Sequence, residues 1–249
     1  MDAIERAGFL AHAQTQGFKR RVTQFKELVR EAFDLCRKPY LSCSGGKDSI
    51  AMLAIVDQVA VELGRDYEIW AHTSNASFPG TEETIINAAK KTGRKLTIHR
   101  SPVCAFEVLK RRKDIHQFGK TGFFFESIKE WNKLGGFDLA FVGVRAEESH
   151  RRMRAAKGHG HLFRSGGEWI CNPLCWAKID DVFAIALTFD YPIHPIYSKH
   201  HPDGIRAIRL GYLTAQDLLH RGNLIFIRDN YPDQYTKIIE ARADLAIYA

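Results

Sequence analysis

Six consecutive residues, Ser44-Gly45-Gly46-Lys47-Asp48-Ser49, carry the densest set of groups in the chain able to grip an anion. Gly45 and Gly46 lack a Cβ, so the backbone there can take positive φ and approach phosphate-type oxygens closely. Lys47 adds a compact positive charge, and Asp48 and Ser49 can cap a helix or touch a metal ion. A second set, Gly143-Val144-Arg145-Ala146-Glu147-Glu148-Ser149-His150-Arg151-Arg152, brings three arginines and a serine together. Guanidinium groups bind phosphate and sulfate oxygens bidentately, so Arg145, Arg151 and Arg152 suit the same class of ligand. Each set also has a plainer reading: a tight turn before an N-capped helix, and a helical turn with surface charges.

The flanking residues say how these groups are positioned. Pro39-Tyr40-Leu41-Ser42-Cys43 reads as a short strand, and residues 50–56 continue as an apolar helix that ends near Gly64. A strand, a glycine turn and a helix N-terminus direct unpaired N–H groups and the positive helix end at one point, which is an anion site. Residues 67–73 form a second strand; Thr73 and Ser74 close it, where ligands lie in a doubly wound sheet. A helix over 81–93, a strand over 96–99 and a buried-strand pattern over 137–144 follow, the last placing Gly143 and Arg145 at its end. Residues 180–187 read as a helix with an acidic first turn, a helix is expected near 214–221, and a terminal helix follows Pro232. Alternating strands and helices predict an α/β fold with a doubly wound, mainly parallel sheet flanked by helices. Residues 3–36 have helical apolar spacing, as one long helix or two over the sheet edge. The expected division is a helical N-terminal segment (1–37), an α/β nucleotide-binding domain (38–200) and a C-terminal helical tail packed on it (201–249).

Other stretches are more ambiguous. Lys110-Arg111-Arg112-Lys113, followed by the glycine-bracketed aromatics of residues 119–125, fits either a single-stranded nucleic acid or a charged helix face beside core phenylalanines. Lys19-Arg20-Arg21 reads as a solvated face more readily than as a nucleic-acid contact. A glycine- and histidine-rich stretch, residues 157–167, looks like a mobile loop over the site, and His159 and His161 alone are weak metal ligands. The formal charge of +7 favours a polyanionic partner, although a basic surface or a small charged nucleotide accounts for it as well. No apolar run reaches membrane-spanning length and the N-terminus lacks a signal-peptide pattern, so the expected location is cytoplasmic, with no membrane partner. Five scattered cysteines argue against a disulfide framework.

The glycine loop resembles the PP-loop of the ATP pyrophosphatases, which split ATP between its α and β phosphates. In order along the chain, the loop, residues 143–152 and residues 173–197 resemble the phosphoadenosine-phosphosulfate reductase family of the adenine nucleotide α-hydrolase superfamily. Pro173-Leu174-Cys175-Trp176 with Asp181-Val182-Phe183 is similar to that family's Pro-Leu-x-Trp and Asp-Val-Trp elements, and Tyr191-Pro192-Ile193-His194-Pro195-Ile196-Tyr197 to its Pro-x-Asn-Pro-Leu-Tyr turn. The likeness of residues 77–83 to its Phe-Pro-Glu-Thr element is looser. The resemblance implies an adenine nucleotide α-hydrolase-like fold and an ATP site formed by Ser44, Gly45, Gly46, Lys47, Asp48, Ser49, Thr73, Ser74, Gly143, Arg145 and Arg152. Lys47, Asp48, Arg145 and Arg151 would act in catalysis, with Asp48 holding Mg²⁺.

Two departures shape the functional expectation. Reductases of this family carry a C-terminal Glu-Cys-Gly-Ile/Leu-His tail, whereas the last cysteine here is Cys175, so thiosulfonate chemistry has no obvious carrier. Cys171 and Cys175, spaced Cys-x-x-x-Cys, with Cys36, Cys43 and Cys104 elsewhere, do not match the four-cysteine iron–sulfur pattern, so no cluster is expected. The expectation is an ATP pyrophosphatase that adenylylates an acceptor for sulfur transfer, DNA phosphorothioation first. Its partners would be ATP, a nucleic acid (DNA or tRNA) and a sulfur-donor protein such as a cysteine desulfurase. Cys171 or Cys175 is a weak candidate sulfur relay. A sulfonucleotide reductase and a non-catalytic ATP-binding subunit are the alternatives, and homo-oligomerisation stays open.

Overall fold

A central strand must bury both of its faces, and β1 (Pro39–Ser42) does so, with Tyr40 in one apolar layer and Leu41 in the other. The computed structural model describes residues 1–111, 123–215, 218–219 and 222–248. In it β1 is joined by β2 (Glu68–Thr73), β3 (Leu96–Arg100), β4 (Leu139–Val142), β5 (Leu162–Ser165) and β6 (Glu168–Cys171). The order across the sheet is β3-β2-β1-β4-β6-β5, parallel throughout except for the antiparallel β5–β6 pair. The chain runs outward from β1 to β3 and then returns to the other side of β1 as β4. The topological switch point therefore lies between β1 and β4, where open α/β sheets bind ligands.

The central helix α3 (Lys47–Leu63) is buried almost all round through its first turns, because it is wedged among other elements. It packs against α2 (Gln16–Asp34), α4 (Thr81–Thr92), α8 (Ile179–Thr188) and β4. Gly64 ends it at φ 61°, the left-handed C-cap expected from the sequence. On the opposite sheet face α6 (Phe123–Gly135) packs Phe124, Ile128 and Trp131 over Tyr40 and Trp70. Helices on both faces make the sheet doubly wound, as expected.

The N-terminal region is two helices, α1 (Ala3–Gln14) and α2, which part at Thr15, whose hydroxyl accepts the Phe18 N–H of α2. They are anchored by Asp181, which is fully buried, rather than by apolar contact alone. Its carboxylate takes two hydrogen bonds from Arg21 (2.7 and 2.9 Å), one from His12 (2.8 Å) and one from the Lys178 N–H (2.9 Å). Burial pushes the carboxyl pKa up, but these donors outweigh it and hold the group below its ordinary range. Arg21 thus belongs to the protein interior's wiring, while Lys19 and Arg20 stay exposed.

A second apolar cluster joins α1, the loop after β2, α8 and the C-terminal helices α9 (Asn223–Asn230) and α10 (Pro232–Ala241). Residues 157–167 differ from the loop expected over the site. They comprise the end of α7 (His150–His159), β5 and the turn into β6, which pairs β4 inside the sheet. The turn is Gly166-Gly167 with φ of 60° and 94°, the double positive φ that a two-residue hairpin needs. In the Lys110–Lys113 run, Lys110 and Arg111 end α5 (Ala105–Arg111), whereas Arg112, Lys113 and residues 119–122 lie outside the described residues. The helix expected near 214–221 also lies partly outside them. Among the described residues, no helix is long and apolar enough to cross a membrane.

Candidate active site

Residues 44–46 leave β1 and enter α3 through a loop held by its own hydroxyls. The Ser49 hydroxyl donates to the Gly46 carbonyl (3.0 Å), and the Ser44 N–H donates to Ser49 Oγ (3.2 Å). The Gly46 N–H meets Ser44 Oγ at 3.3 Å. Ser44 and Ser49 thereby shape the loop from within. Gly45 has φ 75°, and a Cβ there would sit 3.1 Å from Ile85 Cγ1 and 3.2 Å from the Thr81 carbonyl oxygen, so only glycine fits. No side chain caps α3, which leaves its positive end available to an anion. The Lys47 N–H instead donates to the hydroxyl of buried Tyr197 (3.2 Å).

Gly143 brings β4 against this helix end. A Cβ at 143 would lie 3.1 Å from both Cα and N of Ser49, so the end of β4 touches the first turn of α3. Two residues on, buried Arg145 reaches back to pair with Asp48 through Nε and with Glu147 through its terminal nitrogen. Its own N–H donates to Glu148 (2.9 Å) and Arg152 pairs with the same carboxylate, while Lys47 Nζ lies 3.3 Å from Asp48. Burial works against the charge of Arg145, but Asp48, Glu147 and Glu148 raise its pKa further, so it is a permanent cation. Lys47, Arg145 and Arg152 are matched by three carboxylates, so the cluster is close to neutral. An incoming polyphosphate must displace carboxylates from the cations or bring its own metal ion.

Beside this cluster lies a cavity of about 500 Å³ at the carboxyl ends of β2 and β3, lined among others by Thr73, Ser74, Asn75, Thr81, Arg100 and Ser101. Thr81 joins the two regions, since its carbonyl abuts Gly45. Its hydroxyl meets Nε2 of buried His194 (3.1 Å), whose Nδ1 accepts the Ile196 N–H (3.0 Å). Burial lowers the His194 pKa to about 4, so the ring is neutral at pH 7. Arg100 and Glu82 pair at the cavity wall.

A sequence-family model for the phosphoadenosine phosphosulfate reductase domain matches residues 38–237. The chain belongs to that family. No curated protein sequence is a significant match. In three dimensions this phosphoadenosine phosphosulfate reductase family member is similar to FMN adenylyltransferase of Candida glabrata, solved with FAD and inorganic pyrophosphate (TM-score 0.59, 13% identity, 84% of this chain and 68% of that one). It is also similar to phosphoadenylyl-sulfate reductase of Candida auris (TM-score 0.55, 14% identity, 80% and 95%). A third neighbour is the U34-tRNA thiolase of Methanococcus maripaludis, solved with a 4Fe-4S cluster (TM-score 0.52, 14% identity, 92% and 80%). At these identities the neighbours establish the shared fold.

The structure of this family member brings Ser44, Gly45, Gly46, Lys47, Asp48, Ser49, Gly143, Arg145 and Arg152 together at the switch point. Thr73 and Ser74 line the adjoining cavity. Arg151 stands apart, exposed on α7, with no ion pair among the described residues. Cys171 and Cys175 are buried in different clusters, and burial raises both thiol pKa values, which leaves little thiolate for a sulfur relay. Sequence reasoning gave no role to Glu147, Glu148 or Tyr197, although each lay inside a quoted motif. It also passed over Cys104, which is exposed beside the cavity and hydrogen-bonded by Nδ2 of Asn75 (2.9 Å). The Glu107 N–H above all, with Asn75 and the Phe106 N–H, lowers that thiol's pKa.

Proposed function

We propose that the protein is an ATP pyrophosphatase that adenylylates an acceptor for sulfur transfer, most directly a nucleic-acid group as in DNA phosphorothioation. The observation that carries this reading is the continuity of the capless α3 terminus, Lys47 and Arg145 with a nucleoside-sized cavity joined to them through Thr81. The adenosine would occupy the cavity, and the loop and Lys47 would hold the β and γ phosphates. Arg145 and Arg152 would face the α phosphate, with Arg151 at the acceptor side. An acceptor oxygen attacks the α phosphorus, the bond from that phosphorus to the bridging oxygen breaks, and pyrophosphate leaves. A sulfur nucleophile then displaces AMP from the activated acceptor. Lys47 and the loop N–H groups stabilise the charge gathering on pyrophosphate, and each such contact is worth about 10²–10³ in rate.

Mg²⁺ fits the donors present: it takes one or two carboxylates plus phosphate oxygens, and Asp48 presents a carboxylate that is not sealed from solvent. When bound it would neutralise phosphate charge and relieve the balance between Asp48 and its cations. The test is pyrophosphate release from ATP with a panel of DNA, tRNA and sulfonucleotides, a sulfur donor being present. Stimulation by a nucleic acid supports the reading. Turnover that yields only ADP, or none with any acceptor, overturns it.

One observation favours a second reading, a sulfonucleotide reductase. Cys104 offers an accessible thiol of lowered pKa beside the cavity, a candidate nucleophile for that chemistry. Sulfite release from a 5′-phosphosulfate nucleotide with thioredoxin, abolished by Cys104→Ser, would select it over the first.

A further inference from the structure

The outer side of α7 is a basic surface that the nucleotide cluster leaves unused. The helix, His-Arg-Arg-Met-Arg-Ala-Ala-Lys-Gly-His, contains no carboxylate. Met153 and Ala156 pack inward with Ala146 and Cys175, and Arg152 turns to Glu148. His150, Arg151, Arg154 and Lys157 are exposed, and the three cations have no ion-pair partner among the described residues. Arg154 is four positions from His150 and three from both Arg151 and Lys157, so these side chains form one stripe along the helix. Such a row of like charges costs helix stability, and no carboxylate among the described residues pairs with it. Next to Cys175, Trp176 is 48% exposed and stacks on no other ring among the described residues.

We infer that this stripe and Trp176 form the docking surface for a single-stranded nucleic acid, whose backbone runs along α7 toward the Arg145 cluster. Unpaired cations in a row suit successive phosphates, and an exposed indole on the segment that packs under the same helix through Cys175 is a stacking platform for an unpaired base. The inference rests on reading the site as one that activates a nucleic-acid group, and it identifies where that acceptor is held. Position supports it: the residues of α7 follow Arg145 directly through the turn 146–148, so a strand held there lies at the mouth of the phosphate cluster.

The experiment is fluorescence anisotropy with labelled single-stranded DNA, single-stranded RNA and duplex DNA of one sequence, at several salt concentrations and without ATP. Three phosphate contacts predict a log–log salt slope of about −2 for a single strand. Arg154→Ala/Lys157→Ala should reduce that slope to about −0.7. Trp176→Leu should weaken binding about fivefold or more with the slope unchanged. Lys19→Ala/Arg20→Ala removes the same charge from α2 and should change neither. The DNA and RNA arms show which strand is preferred. Equal slopes and affinities in the wild type and the α7 variant, tighter binding of duplex than of either single strand, or no binding at all would overturn the inference. ATP affinity and pyrophosphate release, measured on the same α7 variant, keep the two questions apart. Strand binding through α7 without pyrophosphate release defeats the proposed reaction and leaves the surface standing. Pyrophosphate release with an α7-independent acceptor does the reverse.

Discussion

Replacing Gly143 by alanine would force apart the two elements that carry the proposed chemistry. The new methyl group would lie 3.1 Å from Cα and N of Ser49 and 3.2 Å from the carbonyl carbon of Asp48. All three are backbone atoms of a helix, so no rotamer change can relieve the contact. Carbon atoms rest at about 3.5–4.0 Å, so β4 and α3 must separate by roughly half an ångström. Overpacking of this kind costs about 1–3 kcal/mol. The separation also pulls Arg145 from Asp48, and a displacement near 1 Å costs about 10² in rate, so about tenfold is expected here. The assays are urea unfolding and initial rates of pyrophosphate release. Gly158→Ala on α7 is the control, because a Cβ there meets nothing within 4 Å. It should leave turnover unchanged and stabilise the helix by up to about 1 kcal/mol. A Gly143→Ala protein with wild-type stability and turnover would refute the argument.

Asp181→Ala removes the carboxylate that ties α1 and α2 to α8, and should lower unfolding stability by about 2–3 kcal/mol. This is below the range for a sealed pair because Arg21 and His12 are partly exposed; a loss under about 0.5 kcal/mol in urea titration would contradict the anchoring role. Acid should weaken the fold in a defined window through His194. Its folded pKa of about 4 lies below the ordinary 6.5, so the unfolded chain takes up the proton first and stability falls as pH drops from 6.5 toward 4. The shift corresponds to about 3 kcal/mol, and the decline should be much reduced in His194→Asn; an unchanged decline would place its origin elsewhere.

The parts of the site legible in the sequence were those whose physics is local. The glycine pair, Lys47 and the residues around them specify a strand, a glycine turn and a helix start within about a dozen residues, and that turn with its uncapped helix end is where the spacing put it. Gly143 was legible as a motif position, but its reason is contact with Ser49, far away along the chain. Glu147 and Glu148 read as surface charge because their partners, Arg145 and Arg152, read as free to hold a ligand. Asp181 read as a helix-dipole residue for the same cause: its partner Arg21 is 160 positions away. Residues 157–167 read as a loop because glycines and histidines dominate them, while the hairpin is held by backbone pairing with little side-chain signature.

In the proposed reaction Lys47 and the glycine loop hold a pyrophosphate that leaves as one piece. Incubation with Mg²⁺ and ATP labelled at the α phosphate, with nucleic acid and a sulfur donor, measures this directly. Labelled AMP, free or on the acceptor, with stoichiometric pyrophosphate and a loss of about 10² or more in Lys47→Ala is the predicted result. Labelled ADP with inorganic phosphate, or AMP formation undiminished in Lys47→Ala, would contradict it.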